Sequence, residues 1–296
     1  MFQARPTVAP PGHLVRLGLV LDPAEADERL TQLARMGDRA GIGALWVADA
    51  DPFERLSVLW PAAEKAQVGL LLVPEPGSAD DLAETTGSLQ ERLGGRLEVG
   101  LRLGRLGPIA LEAYVEALRR AWQEAGRFPP RVSLQAELGP SLAPAVHVAD
   151  DAVLVAATLD EAEALAEETL AVCAASGRDP ASLGLAVELP VSVGRTAAEA
   201  WARWESDEAL AALGPPHEVA IFGTLEQCHE RVIRLAHAGV TDLRCVLPQA
   251  VDVHDVIAQL TAMSIGTLAQ FSPGAPRSRA PEPPPGWGGR RRFPAP

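Results

Sequence analysis

The chain has 296 residues, 47% of them apolar and 22% charged, enough to bury a large core and too apolar for a globally disordered chain. A net charge of −13 argues against nucleic acid or an anionic membrane as partner. No window holds the ~18 uninterrupted apolar residues of a membrane span, and the N-terminus lacks the pattern of a secretory signal. Three widely spaced cysteines, Cys173, Cys228 and Cys245, make neither a disulfide framework nor a zinc site, which fits a reducing cytoplasm. Lys65 is the only lysine and falls in the helical stretch PAAEKA, so Schiff-base chemistry is set aside.

Short leucine-rich or β-branched runs alternate with amphipathic segments along the chain. The first strand is expected over Leu14–Leu21, and Asp22-Pro23 then opens a helix with Leu30, Leu33, Ala34 and Ala40 at helical spacing, closed by Gly41 and Gly43. Strands follow at Ala44–Ala48 and Val68–Val73, and a helix capped by Gly77-Ser78 ends at a second glycine pair. Further strands are expected at Arg96–Leu103, Arg131–Gln135, Ala152–Ala156 and Leu183–Val193. A helix capped by Thr224 leads into the eighth, Asp242–Leu247. Each run is nearly continuous in apolar residues, as for parallel strands buried on both faces. Eight strands alternating with helices predict a single (β/α)8 TIM-type barrel. An open doubly wound sheet should carry a Gly-rich phosphate turn after its first strand, and VLDPAEAD has no glycine. The barrel is placed over residues 14–271, with residues 1–13 as an N-terminal extension. The remaining 272–296 form a Pro/Gly/Arg-rich tail whose net +4 leaves −17 on the rest. That tail reads either as a flexible extension or as a strap in which Trp287 docks and Arg290–Arg292 reach acidic residues.

In such a barrel, active groups come from the C-terminal ends of the strands. Those positions hold Asp22, Asp49 and Asp51, Glu75, Arg102 and Arg105, Glu137 and Gly139, Thr158, Glu188 and Ser192, then Gln249, Asp252 and His254. Two groupings stand out. GLRLGRLG (Gly100–Gly107) combines close-approach glycines with arginines able to hold a phosphate or carboxylate, though not in dinucleotide spacing. ELGPSLAPAVHVAD places Gly139 and Ser141 at a helix start, where free N–H groups meet anions, or where Ser141 is only a cap. The histidines form no constellation, and His147 reads as a packed side chain. No HExxH, GxSxG or Cys–His pairing is present, so no metal site is expected.

Several stretches in their order are similar to one known family: ADERLTQLARMGDRAGIGALWVAD, LQERLGGRLEVGL, GRDPASLGLAVELPVSVGRTAAEA and FGTLEQCHERVIRLAHAGVTDLRCVLPQAVDVHDVIAQLTAM. Together they resemble the bacterial luciferase-like flavin- or deazaflavin-dependent oxidoreductases, and the GWGG tail resembles those of actinobacterial-type members. The resemblance implies a cytoplasmic oxidoreductase or monooxygenase acting on a small organic substrate. FMN or a deazaflavin (coenzyme F420) would be the cofactor, and the chain would form a homo- or heterodimer. It implies a phosphate end near Gly139 and Ser141, helped by Arg102 or Arg105, and a ring over the mouth near Asp49, Glu75 and Glu188. Asp49 and Glu188 are then the proton-transfer candidates. The chain departs from the family pattern at the ligand face. Ala50 stands where a histidine is usual, Arg102, Leu103 and Arg105 replace small residues, and a pocket segment shrinks to GRFPPR. These shortened loops leave open a non-catalytic barrel with no cofactor, serving as a partner subunit or binding module. A metal-dependent hydrolase using Asp49, Asp51 and Glu75 is a third reading.

Overall fold

Alternating side chains explain the architecture of the computed structural model, which describes residues 15–22, 25–48, 52–104, 106–137, 142–247, 255 and 257–262. In β1 (Arg16–Leu21), Leu17, Leu19 and Leu21 join the outer core while Arg16 and Gly18 contact groups inside the sheet. The same alternation runs through β2 (Ala44–Ala48), β3 (Gln67–Leu72), β4 (Leu97–Leu101), β5 (Arg131–Ala136), β6 (Asp151–Leu154), β7 (Gly184–Gly194) and the last strand, β9 (Asp242–Val246). All neighbours are parallel. Pairing proceeds from β1 to β7, then to β9 and back to β1, closing an eight-stranded barrel.

Helices cover the outer face. They are α1 (Asp27–Ala40), α2 (Pro52–Leu59), α3 (Ala79–Arg92), α4 (Pro108–Glu124), α5 (Leu142–Val148), α6 (Leu159–Ala175), α7 (Ala197–Glu205), α8 (Glu208–Ala211), α9 (Pro216–Val219) and α10 (Leu225–His237). Their apolar stripes pack on the outward leucines and valines, and Trp122 of α4 is fully buried there. Each expected strand is present within two residues of its predicted ends. One element lies outside the ring: β8 (Ile221–Thr224) pairs only with the far half of β7, beside a small cluster of Trp201, Trp204, Leu210 and Phe222.

Three helix ends compare directly with expectation. Thr224 caps α10 as expected, its hydroxyl accepting from the Gln227 N–H while the Gln227 side chain accepts from the Thr224 N–H. α1 starts five residues after Asp22, at Asp27, with Ala26 as an uncapped first position. Ser78 does not cap α3. Its hydroxyl instead donates to the Glu75 carbonyl at 2.8 Å and lies 3.1 Å from the Tyr114 hydroxyl.

The barrel interior is layered, and its N-terminal end is locked by charge. Arg16 donates to Glu98 at 2.6 and 3.1 Å and also to Asp242, and Arg131 holds Asp151 at 2.5 and 3.0 Å. Burial pushes the Glu98 pKa up, but Arg16, Arg244 and Arg131 pull harder and leave it below the ordinary carboxylate value. Glu98 and Asp151 are buried while their arginines are partly exposed, so removing either arginine would leave a buried carboxylate unpaired, and this end serves stability. The middle layer is filled by Trp46. A Cβ on Gly69 would lie 2.1 Å from the Trp46 ring, so only glycine at that position admits the indole. The expected extension 1–13 and tail 272–296 lie outside the described residues.

Candidate active site at the C-terminal mouth

Above Trp46 the barrel opens into a cavity of about 270 Å³. Its walls are apolar on one side, with Leu71 from β3, Leu101 from β4, and Val153, Leu154 and Val155 from β6 and its exit. Polar groups converge from the other strands: Arg102 after β4, Gln135 on β5, Glu188 on β7 and Arg244 on β9. An apolar hollow with a few convergent polar groups at the C-terminal face of a barrel is where ligands bind in this architecture.

Arg102 and Glu188 meet across the opening. Arg102 Nη2 donates to Glu188 Oε1 at 3.1 Å, with the two side chains 40% and 28% exposed. A pair this wet is worth about 0–1 kcal/mol. A ligand bringing its own charge can separate it at little cost, unlike the pairs at the opposite end, whose carboxylates are buried. Gln135 Oε1 accepts from the Leu103 N–H at 3.0 Å and ties the β4 exit to β5. Gly100 borders the cavity at a crowded point of the wall, where a Cβ would lie 2.7 Å from Leu71 Cδ2 and 3.2 Å from Ser133 Oγ and the Trp46 ring.

The floor is Arg244, a residue the apolar run DLRCVL hides. It is 1% exposed, its Nη2 donates to Ser133 Oγ at 3.0 Å, and its Cζ lies 3.5 Å from the Trp46 ring centroid. Nε and Nη1 are buried with no partner among the described residues. Burial pulls the Arg244 pKa below the ordinary guanidinium value, against the carboxylates of Glu98, Asp151, Glu188 and Asp242. The sequence signal was the period-two placement of Asp242 and Arg244 between Leu243 and Cys245, which marks an inward polar face.

Of the residues expected here, the fold brings together Arg102 and Glu188. Glu75 is exposed in the β3–α3 connection and does not line the cavity. Asp49, Arg105, Gly139 and Ser141 lie outside the described residues, as do Asp51, Gln249, Asp252 and His254. His147 departs from the packed position expected of it: its ring is 46% exposed and Nδ1 lies 3.3 Å from Glu112. All three cysteines are buried, and burial pushes the thiols of Cys228 and Cys245 up to about 12, which leaves them poor nucleophiles. Among the described residues no group of three metal-ligating side chains lies together, and no helix is long and apolar enough to cross a membrane.

No protein-family model and no curated protein matches the chain. Solved structures do. A coenzyme F420-dependent tetrahydromethanopterin reductase from Methanopyrus kandleri superposes with a TM-score of 0.70 at 13% identity, covering 86% of this chain and all of the reductase. An F420-dependent secondary alcohol dehydrogenase, held in complex with an F420–acetone adduct, gives 0.73 at 13% identity over 86% of this chain and 99% of its own. An EDTA monooxygenase from Chelativorans sp. BNC1 gives 0.69 at 13% identity over 86% and 94%. At these identities the likeness establishes the architecture: the chain is built on the (β/α)8 barrel that these F420-dependent enzymes and this monooxygenase share.

Proposed function

We propose that the chain is an oxidoreductase of the luciferase-like type, in which a reduced flavin or deazaflavin at the C-terminal mouth serves hydride transfer to, or monooxygenation of, a small organic substrate. The observation that carries this reading is the 270 Å³ hollow, with its apolar wall and its convergent Arg102, Glu188 and Arg244. The neighbours in fold support it, since one is a reductase and one a dehydrogenase that depend on F420, and another is a monooxygenase.

The residues present suit such a group. A flat ring suits the slot beside Gly100 and Leu71, with polar groups at its rim. The hollow takes a ring rather than a whole cofactor, because ligand sites for drug-sized molecules run from about 300 Å³ upward. Gly139, Ser141 and Arg105 remain the proposed holders of the phosphate end. When bound, the cofactor supplies the hydride or the electrons, and the protein supplies position and charge. Leu71, Val153 and Val155 exclude water from one face. Arg102 orients the Glu188 carboxylate through Oε1, so a proton given to or taken from substrate passes through Glu188 Oε2. Asp49 is the second proposed proton carrier.

Titrating the protein with FMN and with F420, read by cofactor fluorescence, tests the proposal. Binding of either that is lost in Ala156→Trp, which fills the hollow from its half-buried rim, supports it. A chain that binds neither is a partner subunit or binding module instead.

A further inference from the structure

Four arginines face four carboxylates inside the barrel, and because two of the carboxylates share one arginine, another is left without a hydrogen-bonded carboxylate. Glu98 and Asp242 share Arg16, Asp151 holds Arg131, and Glu188 holds Arg102. Arg244 has only the Ser133 hydroxyl and the Trp46 face, while its Nε and Nη1 are buried without a partner among the described residues. An arginine does not escape this state by losing its proton, and buried donors left without acceptors destabilise the fold. Arg244 nevertheless borders the cavity, so an acceptor entering from the mouth can reach it. Two guanidiniums line the hollow, but Arg102 is held by Glu188, so Arg244 is the one among the described lining residues without a carboxylate partner, against walls of Leu71, Val153 and Leu154. The Glu188 carboxylate on the same wall opposes a doubly charged phosphate, and one unpaired guanidinium matches a planar, singly charged oxyanion with an apolar body.

We propose that Arg244 is a substrate-binding residue and that the substrate class is small monocarboxylic acids, the carboxylate accepting from Arg244 and the apolar body resting on Val153 and Leu154. This rests on the reading of the mouth as the reaction site and adds the substrate class to it. The dione edge of a flavin-type ring presents the same planar oxygen acceptors, so the test separates the two sources.

Calorimetry on the full-length, cofactor-free protein would compare butyrate and benzoate with butyramide and benzamide. The acids should bind at least about tenfold more tightly than the amides, since a bond to a charged group exceeds one tenfold step in affinity. That comparison uses the unaltered chain, so no folding defect enters it. Arg244→Met, checked by circular dichroism, should weaken acid binding by a similar factor and leave amide binding as it was. Acids and amides binding alike, no binding of either, or a folded Arg244→Met variant with unchanged affinity would overturn the proposal. Acid binding abolished by saturating FMN or F420 would also overturn it, assigning Arg244 to the ring instead. Cofactor binding without acid binding defeats this inference alone. Arg244-dependent acid binding without cofactor binding defeats the oxidoreductase reading and leaves this one standing.

Discussion

Trp46 sits at the centre of the barrel because Gly69 and Gly100 give it room, and that packing can be challenged directly. A Cβ on Gly69 would fall 2.1 Å from the indole, so Gly69→Ala must displace the ring. Overpacking of this kind costs about 1–3 kcal/mol, measurable by urea denaturation. Trp46→Phe in the same chain should recover part of the loss, and a double-mutant cycle would show the coupling. The same scale explains what the sequence hid. RLEVGL, RVSLQ and DLRCVL read as apolar strands, and so they are on their outer faces. Their inward positions carry Glu98, Ser133 and Arg244, which pair with strands far away in sequence, and Arg131, which pairs with the next strand. A single arginine in an apolar run has no visible partner until the barrel closes. Glu188 and Arg102 were legible because strand ends in this architecture point at the site, whereas their mutual contact was not.

Helices and strands were legible where periodicity extends over several turns. The eight barrel strands and the Thr224 cap of α10 follow from local patterns, and Thr224→Ala should cost about 1 kcal/mol in a thermal or chemical melt. The region 197–224 was not legible. Its α8, α9 and β8 are four residues each, shorter than the window in which a period can be recognised. Asp38 shows how an element is tied by a side chain rather than by pattern. Its Oδ1 accepts from the Lys65 and Ala66 N–H groups at 2.8 and 2.7 Å, joining α1 to the approach of β3. Burial raises its pKa, but these backbone donors outweigh it and the net shift is downward. A depressed carboxylate stabilises above its unfolded-state pKa, about 3.9 for Asp, and that contribution is lost as pH falls through the folded value. Asp38→Ala should therefore cost about 2 kcal/mol or more near neutral pH, because two donors lose their acceptor. The gap to the unaltered chain should narrow on acidification below about pH 4. A gap constant from neutral pH to pH 3 would contradict this account.

At the scale of the molecule the two ends of the barrel are built for different tasks. The N-terminal end is closed by ion pairs on buried carboxylates, and the C-terminal end has an exposed, separable pair over an apolar hollow. The tail, with its net +4 against −17 elsewhere, is expected to dock through Trp287 and its arginine run. Deleting residues 272–296 should then lower the melting temperature or shift the oligomer seen by sizing chromatography, and no change in either would leave it a plain extension. The central claim, that a flavin or deazaflavin ring binds at the C-terminal mouth, is tested most directly by a crystal structure of the protein soaked with FMN or F420. The account predicts the ring beside Gly100 and Leu71, within reach of Arg102 and Glu188. A ring seated elsewhere on the barrel, or a mouth that stays empty at saturating cofactor, would contradict it.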